Sequence, residues 1–410
     1  MDGKKSFFND VYQAVLSLTS AALFDSPLSI PENTDMRAVF NEVKSQQNAS
    51  LTYPLICSLG SANIPPDVMK EWDSLRSMYI RNSVLNISEH FRVHKLLRGN
   101  NIPYVILKGI ASGLYYPDYI VRACGDVDFL VKKDDYERAA ALLEAEGFHL
   151  VLEHDKHKEY SNGGIPYELH CDIVGVPDTD IKGVFDQFFS DIIEKASEFK
   201  HGDSVCMIPS DIHHAVILLL HKAEHLRRDG IGLRHLCDWA AFVSSMSDDF
   251  FIEELQPCLK EMGLWQFALI MTDLCTEYLG LRKCQWAGRT DPEYLYRVMN
   301  DILSSGEFGN KNAAAETIAR RHASHGVIHG EKGFVRVFFN MMSDSAKAAF
   351  PIAERLPVLL PAAYLYVSLR HVIRLVTGRR SLSGTANLLR ESGEHRAIFD
   401  EWRLFEKESQ

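Results

Sequence analysis

Two aspartates, Asp126 and Asp128, stand two residues apart in the run Arg122-Ala-Cys-Gly-Asp-Val-Asp-Phe-Leu-Val131. Val127 and Phe129-Leu130-Val131 give this run the composition of a buried strand. Strand side chains alternate between faces, so both carboxylates point the same way. Two carboxylates side by side in apolar surroundings repel each other and lose hydration, an arrangement that needs a positive charge between them. Oxygen donors so placed suit Mg²⁺ or Mn²⁺, ions that take a few carboxylates plus the phosphate oxygens of a substrate. The expected chemistry is metal-dependent phosphoryl or nucleotidyl transfer. A third acid is available in Tyr167-Glu168-Leu169-His170-Cys171-Asp172, where Glu168, His170 and Asp172 share one face at period two. Asp126 and Asp128 are expected to hold the metal ions and Glu168 to complete the catalytic one. The plain alternative is a half-exposed strand whose acids face water.

Upstream, Lys108-Gly109-Ile-Ala-Ser112 follows the β-type run Tyr104-Val105-Ile106-Leu107 and opens a short helix ending near Tyr116-Pro117. Glycine permits close backbone approach there, and a helix start offers free N–H groups to an anion. Lys108 is the expected direct phosphate contact, with Gly109, Ser112 and Gly125 beside it. Arg122 is a second candidate, either for phosphate or for fixing the loop before the metal strand. Taken alone, the Lys-Gly turn reads equally as a tight strand-to-helix connection.

These side chains must be positioned by elements that the sequence also indicates. Residues 5–99 read as helical, with Phe7, Val11, Ala14, Val15 and Leu18, then Met78, Leu85, Phe91 and Leu96, at helical spacing and a stop at Gly99-Asn100. After the aspartate strand, Asp134 with Glu137 forms a capping-box pattern before a helix ending at Gly147. Phe148 to Leu152 reads as a strand, and residues 158–174 as a hairpin around Ser161-Asn-Gly-Gly164. From Ser210 the pattern is helical: 211–221, 233–243 and segments around 264–274, 335–342 and 364–375, with Gly230-Ile-Gly232 as a turn and Ser304 to Asn312 as an exposed connection. The fold class expected is therefore α+β. A small mixed sheet spans residues 100–208, between an N-terminal helical region (1–99) and a C-terminal one (209–410).

Ile-Leu-Lys-Gly109, Tyr115-Tyr-Pro-Asp118, the Gly-Asp-Val-Asp-Phe-Leu-Val131 strand, the helix ending Glu-Gly-Phe148 and Glu168-Leu-His170 together resemble the uncharacterised nucleotidyltransferase family, of the DNA polymerase beta-like nucleotidyltransferase superfamily. The likeness runs on through His221, His225, Leu233-Arg234 and Asp238-Trp239, covering roughly residues 75 to 245. It implies a nucleotidyltransferase palm with Asp126 and Asp128 as the metal pair, Glu168 as the third acid and Gly109 as the glycine of the phosphate turn. This chain departs from the superfamily pattern at that turn: the Gly-Ser pair becomes Lys108-Gly109-Ile-Ala, with Ser112 displaced. His221, His225, Arg234 and Asp238 are expected to line the cleft facing the palm. Arg234 would contact nucleotide or acceptor and Asp238 would orient it, or the four make an ordinary helix–helix polar contact.

Other readings compete. His221-Lys-Ala-Glu-His225 fits the His-x-x-Glu-His pattern of inverted zinc peptidases, which needs a further acidic ligand on a later helix. So short a pattern arises readily by chance among 17 histidines. The palm could also serve as a nucleotide-binding regulatory module without turnover. A late basic cluster, Arg370, His371, Arg374, Arg379 and Arg380, reads as a solvated helix end. The formal net charge of −11 argues against broad binding to nucleic acid or anionic membranes, which favours a small-molecule acceptor. The eight scattered cysteines lack a Cys-x-x-Cys pair and read as reduced core thiols of a cytoplasmic protein. Asn9, Asp10 and Gln13 interrupt the apolar stretch after Lys4 and Lys5, against a signal peptide, and no transmembrane helix is expected. Mg²⁺ or Mn²⁺ and an NTP donor are the expected cofactor and substrate.

Overall fold

The computed structural model describes residues 8–60, 63–154, 156–311, 317, 320–321, 323–324 and 395–406. Four helices come first: α1 (Asp10–Phe24), α2 (Met36–Ser45), α3 (Ala49–Leu59) and α4 (Pro66–Gly99). Asn9 and Asp35 start α1 and α2 by accepting backbone N–H groups of the first turn. Proline occupies the first position of α4, where its missing N–H costs nothing, and the helix stops at Gly99-Asn100 as predicted. The middle of the chain supplies β1 (Tyr104–Ile106), α5 (Ile110–Gly113), β2 (Val127–Val131), α6 (Tyr136–Ala145), β3 (His149–Glu153), β4 (His157–Ser161) and β5 (Tyr167–His170). Then come α7 (Lys182–Phe188) and the ribbon β6 (Ser197–His201) and β7 (Ser204–Ile208). Among the described residues there follow α8 (Asp211–Arg228), α9 (Leu233–Ser245), α10 (Gln256–Glu261), α11 (Trp265–Tyr278) and α12 (Pro292–Ser305), with further helical residues at 395–402. The fold is α+β.

The main sheet is mixed, in the order β1-β2-β5-β4-β3. β2 lies antiparallel to β1 and parallel to β5, and β5-β4-β3 continue antiparallel. The β2/β5 register sets Asp128 directly against Glu168. Every residue of β2 is buried, as its near-continuous apolar composition requires. Two apolar clusters hold the molecule together. One lies beneath the sheet, where Ile87, Phe91 and Leu97 of α4 meet Val127, Phe129, Val131, Leu143 and Tyr167. The other joins the first helices to the last, from Val15 and Trp72 to Trp239, Phe267 and Trp402.

Several local expectations are corrected. Met78 and Leu85 of α4 are largely exposed, while Ser83, Asn86 and His90 are fully buried, so the inward face of that helix is partly polar. No capping box starts α6. A 3₁₀ turn at Lys133–Asp135 precedes it, and the Asp135 carboxylate instead accepts from Arg138 at 2.6 Å. Within Ser304 to Asn312, Ser305 and Glu307 are buried, because Glu307 serves two cationic or polar partners described below. Cys206, Cys237, Cys275 and Cys284 are core thiols, but Cys57 is exposed; none of the eight forms a disulfide. The segments around 335–342 and 364–375, and the Arg370–Arg380 cluster, lie outside the described residues. Among the described residues no helix is long and apolar enough to cross a membrane.

Candidate active site

The loop before β2 and strand β5 carry Asp126 and Glu168 to the floor of a cavity of about 650 Å³, with Asp128 of β2 buried beside them. Lys108, Gly109, Asp126, Glu168 and His170 line one side of it, and His221, His225, Arg234 and Phe308 line the other. Asp126, Asp128 and Glu168 are thus brought to one place, as strand alternation and the third acid on a neighbouring strand predicted. Lys108 and His170 stand among them. Lys108 Nζ lies 3.1 Å from Asp128 Oδ2, and His170 Nε2 lies 3.3 Å from both Asp128 Oδ1 and Glu168 Oε2.

The charges respond to that crowding. The neighbouring Asp128 charge, with burial, pushes the Asp126 carboxyl above its usual range. Burial works against ionisation of Glu168, yet His170 and the Lys108 charge hold its carboxyl lower than usual. Burial opposes protonation of His170 too, but contact with Asp128 and Glu168 wins and raises it. The Lys108 ammonium is raised, burial being outweighed by the charges of Asp128, Asp126 and Glu168. Three carboxylates thus face Lys108 and His170, and the buried Asp128 Oδ2 is met by the Lys108 ammonium at 3.1 Å. Three clustered carboxylates, more than the cationic groups beside them, supply the oxygen donors that a hard divalent cation takes.

The backbone around the acids is pinned from α4. Asn86 Nδ2 donates to the Asp126 carbonyl at 2.6 Å, and Ser83 Oγ donates to the Arg122 carbonyl at 2.9 Å. His90 Nδ1 donates to the Asn86 carbonyl at 2.7 Å, and its ring lies against Gly109. Gly109 has φ 62° and ψ −119°, and a Cβ there would fall 2.7 Å from His90 Nε2. Glycine at this turn thus meets both a conformational and a steric demand. Sequence reasoning missed Ser83, Asn86 and His90, whose spacing on α4 does not reveal the distant groups they hold.

Arg122 lines the cavity but its guanidinium is engaged by a carboxylate of the protein itself. It makes a bidentate pair with Asp238, Nε to Oδ1 at 2.7 Å and Nη2 to Oδ2 at 2.9 Å, and both side chains are buried. Tyr116 Oη donates to the same Oδ1 at 2.7 Å. Of the two roles expected for Arg122, the geometry serves the fixing of the loop; Asp238 orients Arg122 and makes no pair with Arg234. Ser112 is buried, makes no side-chain hydrogen bond and does not line the cavity, whereas Gly125 does. Arg234 lines the far wall with its guanidinium on Glu307, Nη2 to Oε1 at 2.7 Å, under the Phe308 ring.

That wall also gathers His221, His225 and His235. Burial pushes His225 down to about 2 and lowers His221 and His235. Glu224, which a peptidase would use as base, is ion-paired with Arg227 and Arg228. The third metal-capable side chain here is a histidine, where the peptidase pattern asks for an acid.

Fold and site together define a mixed-sheet chain with acids on two paired central strands and a third just before them, facing a helical wall across one cavity. The family model for uncharacterised nucleotidyltransferases matches residues 32–280, and the chain belongs to that family. The match extends well beyond the residues on which the resemblance was read. Among curated proteins none matches the chain.

Proposed function

We propose that the protein transfers a nucleoside monophosphate from an NTP to a hydroxyl or phosphate of a small acceptor, releasing pyrophosphate. The observation that carries this reading is Asp128 set in register against Glu168, with Asp126 on the same cavity floor beside the Lys108-Gly109 turn. Asp126, Asp128 and Glu168 would hold Mg²⁺ or Mn²⁺. Such an ion supplies charge neutralisation of the triphosphate and a lower pKa for the attacking hydroxyl. Lys108, released from Asp128, and the backbone of Gly109 and Gly125 would take phosphate oxygens. Arg122 positions the loop through Asp238, and Arg234 shapes the acceptor side. His170 bridges Asp128 and Glu168 and keeps the two carboxylates aligned. A cavity of about 650 Å³ falls in the range that encloses small molecules, and the net charge of −11 disfavours a nucleic-acid acceptor.

A thermal-shift panel of ATP, GTP, CTP and UTP, each with Mg²⁺ or Mn²⁺, paired with a pyrophosphate-release assay, tests this. Ligand that binds only the folded state raises Tm. A metal-dependent rise with pyrophosphate release, both lost in Asp126→Asn/Asp128→Asn, is the expected result. A rise without turnover against any acceptor offered would favour a nucleotide-binding regulatory module. No rise with any nucleotide would overturn both.

A further inference from the structure

Opposite the acids, one turn of α8 and the start of α9 put three imidazoles in mutual contact. His221 and His225, spaced i and i+4, share one face of α8, with their Nε2 atoms 3.0 Å apart. The His235 ring lies 5.4 Å from each of the other two, centroid to centroid. One ring nitrogen from each of the three falls within 4.8 Å of the others. Nitrogens around a tetrahedral ion lie about 3.3 Å apart when each bond is about 2.0 Å, so small rotations of three side chains close the set.

His235 is the most informative member. It is fully buried, and its Nδ1–H donates to Glu307 Oε2 at 3.2 Å. Gly232 N–H also points at Nδ1, at 3.4 Å. An ionised carboxylate can only accept, however, so the shorter contact puts the proton on Nδ1 and leaves the Nε2 lone pair free, without a hydrogen-bond partner. A carboxylate behind a histidine, with the far nitrogen free, is the arrangement by which proteins orient a metal-binding imidazole. Glu307 is itself fully buried and is held by Arg234. A Cβ at Gly232 would collide with its carboxylate, so the close approach depends on glycine there. Phe308, at φ 52°, lays its ring 4.7 Å from His225 and 5.2 Å from His235. A non-glycine residue held at positive φ is a local cost met where the surroundings over-determine it. His221 and His225 reach the cavity, so a fourth position opens towards it.

We propose that His221, His225 and His235, oriented by Glu307, bind one transition-metal ion of the zinc class, with a fourth position open to an oxygen ligand from the cavity. Imidazole-only donors select zinc-class ions over the Mg²⁺ or Mn²⁺ suited to the carboxylates of the opposite floor. The three-histidine set with an open position matches zinc sites that also bind water or substrate. None of its three ligands is among the acids assigned to nucleotidyl transfer.

Full-length protein stripped with chelator, then loaded with Zn²⁺ or Co²⁺ and desalted, tests it. Elemental analysis is expected to find a single Zn²⁺ per chain in the wild type and equally in Asp126→Asn/Asp128→Asn. Retention should be lost in His221→Gln and His235→Ala, and affinity weakened about 10–100-fold in Glu307→Gln. Co²⁺-loaded wild type should show the intense visible bands of a four-coordinate ion. X-ray absorption on the zinc-loaded wild type reads the ligands directly, so the test survives a variant that fails to fold. Three imidazole nitrogens at about 2.0 Å support the site. An oxygen-dominated shell, no retained ion, or binding abolished by Asp128→Asn would overturn it.

Discussion

Gly109 is the residue on which the acidic floor turns. Its backbone conformation is one that side chains with a Cβ avoid, and His90 fills the space beside it. Gly109→Ala is expected to cost about 2–3 kcal/mol in urea denaturation, combining the strained backbone with overpacking. His90→Ala in the same chain should recover only the steric part. A cost below about 0.5 kcal/mol would mean that the turn relaxes freely. At this scale the sequence was informative about the acids and silent about their holders. Asp126, Asp128 and Glu168 were legible because strand alternation converts a spacing of two directly into a shared face. Asn86 and His90 were not, because the partners they serve lie on other elements that no local periodicity identifies. Glu307 was read as part of an exposed connection because its setting is polar; its burial follows from Arg234 and His235, residues far away in the chain.

Between elements, the Arg122–Asp238 pair ties the loop before β2 to α9. Both groups are desolvated, so removing one strands the other. Asp238→Ala is expected to destabilise the fold by about 3–5 kcal/mol, while Arg122→Met/Asp238→Leu should cost far less, since no unpaired charge remains. Equilibrium denaturation of the two single variants and the double variant gives the coupling. If the double variant is stable but its nucleotide-dependent thermal shift is gone, the pair positions the loop and does not merely support the core. Similar single and double costs would sink the argument. The helices and strands themselves were largely readable from pattern, including the stop of α4 and the β4/β5 hairpin. The inward face of α4 was not, because Met78 and Leu85 mimic a buried stripe while the true contact face carries polar side chains that bind backbone.

Over the whole molecule, buried histidines set the response to acid. His214 is completely enclosed, stacked 5.3 Å from Tyr115, and neither ring nitrogen has a hydrogen-bond partner. Burial pushes it down to about 3. An unfolded chain takes up this proton near pH 6.5 and the folded one refuses it until far lower pH. Stability is therefore unaffected above 6.5 and falls as pH drops below it, by about 2 kcal/mol from His214 at pH 5. Tm compared between pH 7.5 and pH 5 should drop less in His214→Phe than in the wild type; an equal drop would place the acid sensitivity elsewhere. Glu307 governs a different matter, the order in which the cavity is built. The acidic strands are complete once His170 has been synthesised, but the carboxylate that anchors Arg234 and His235 arrives only with residue 307. Chains fold from the N-terminus as they leave the ribosome, so a nascent chain carries the acid floor well before its facing wall can lock. A polypeptide cut at residue 280, the end of the family match, would keep α8 and α9 but leave Arg234 and His235 without their carboxylate.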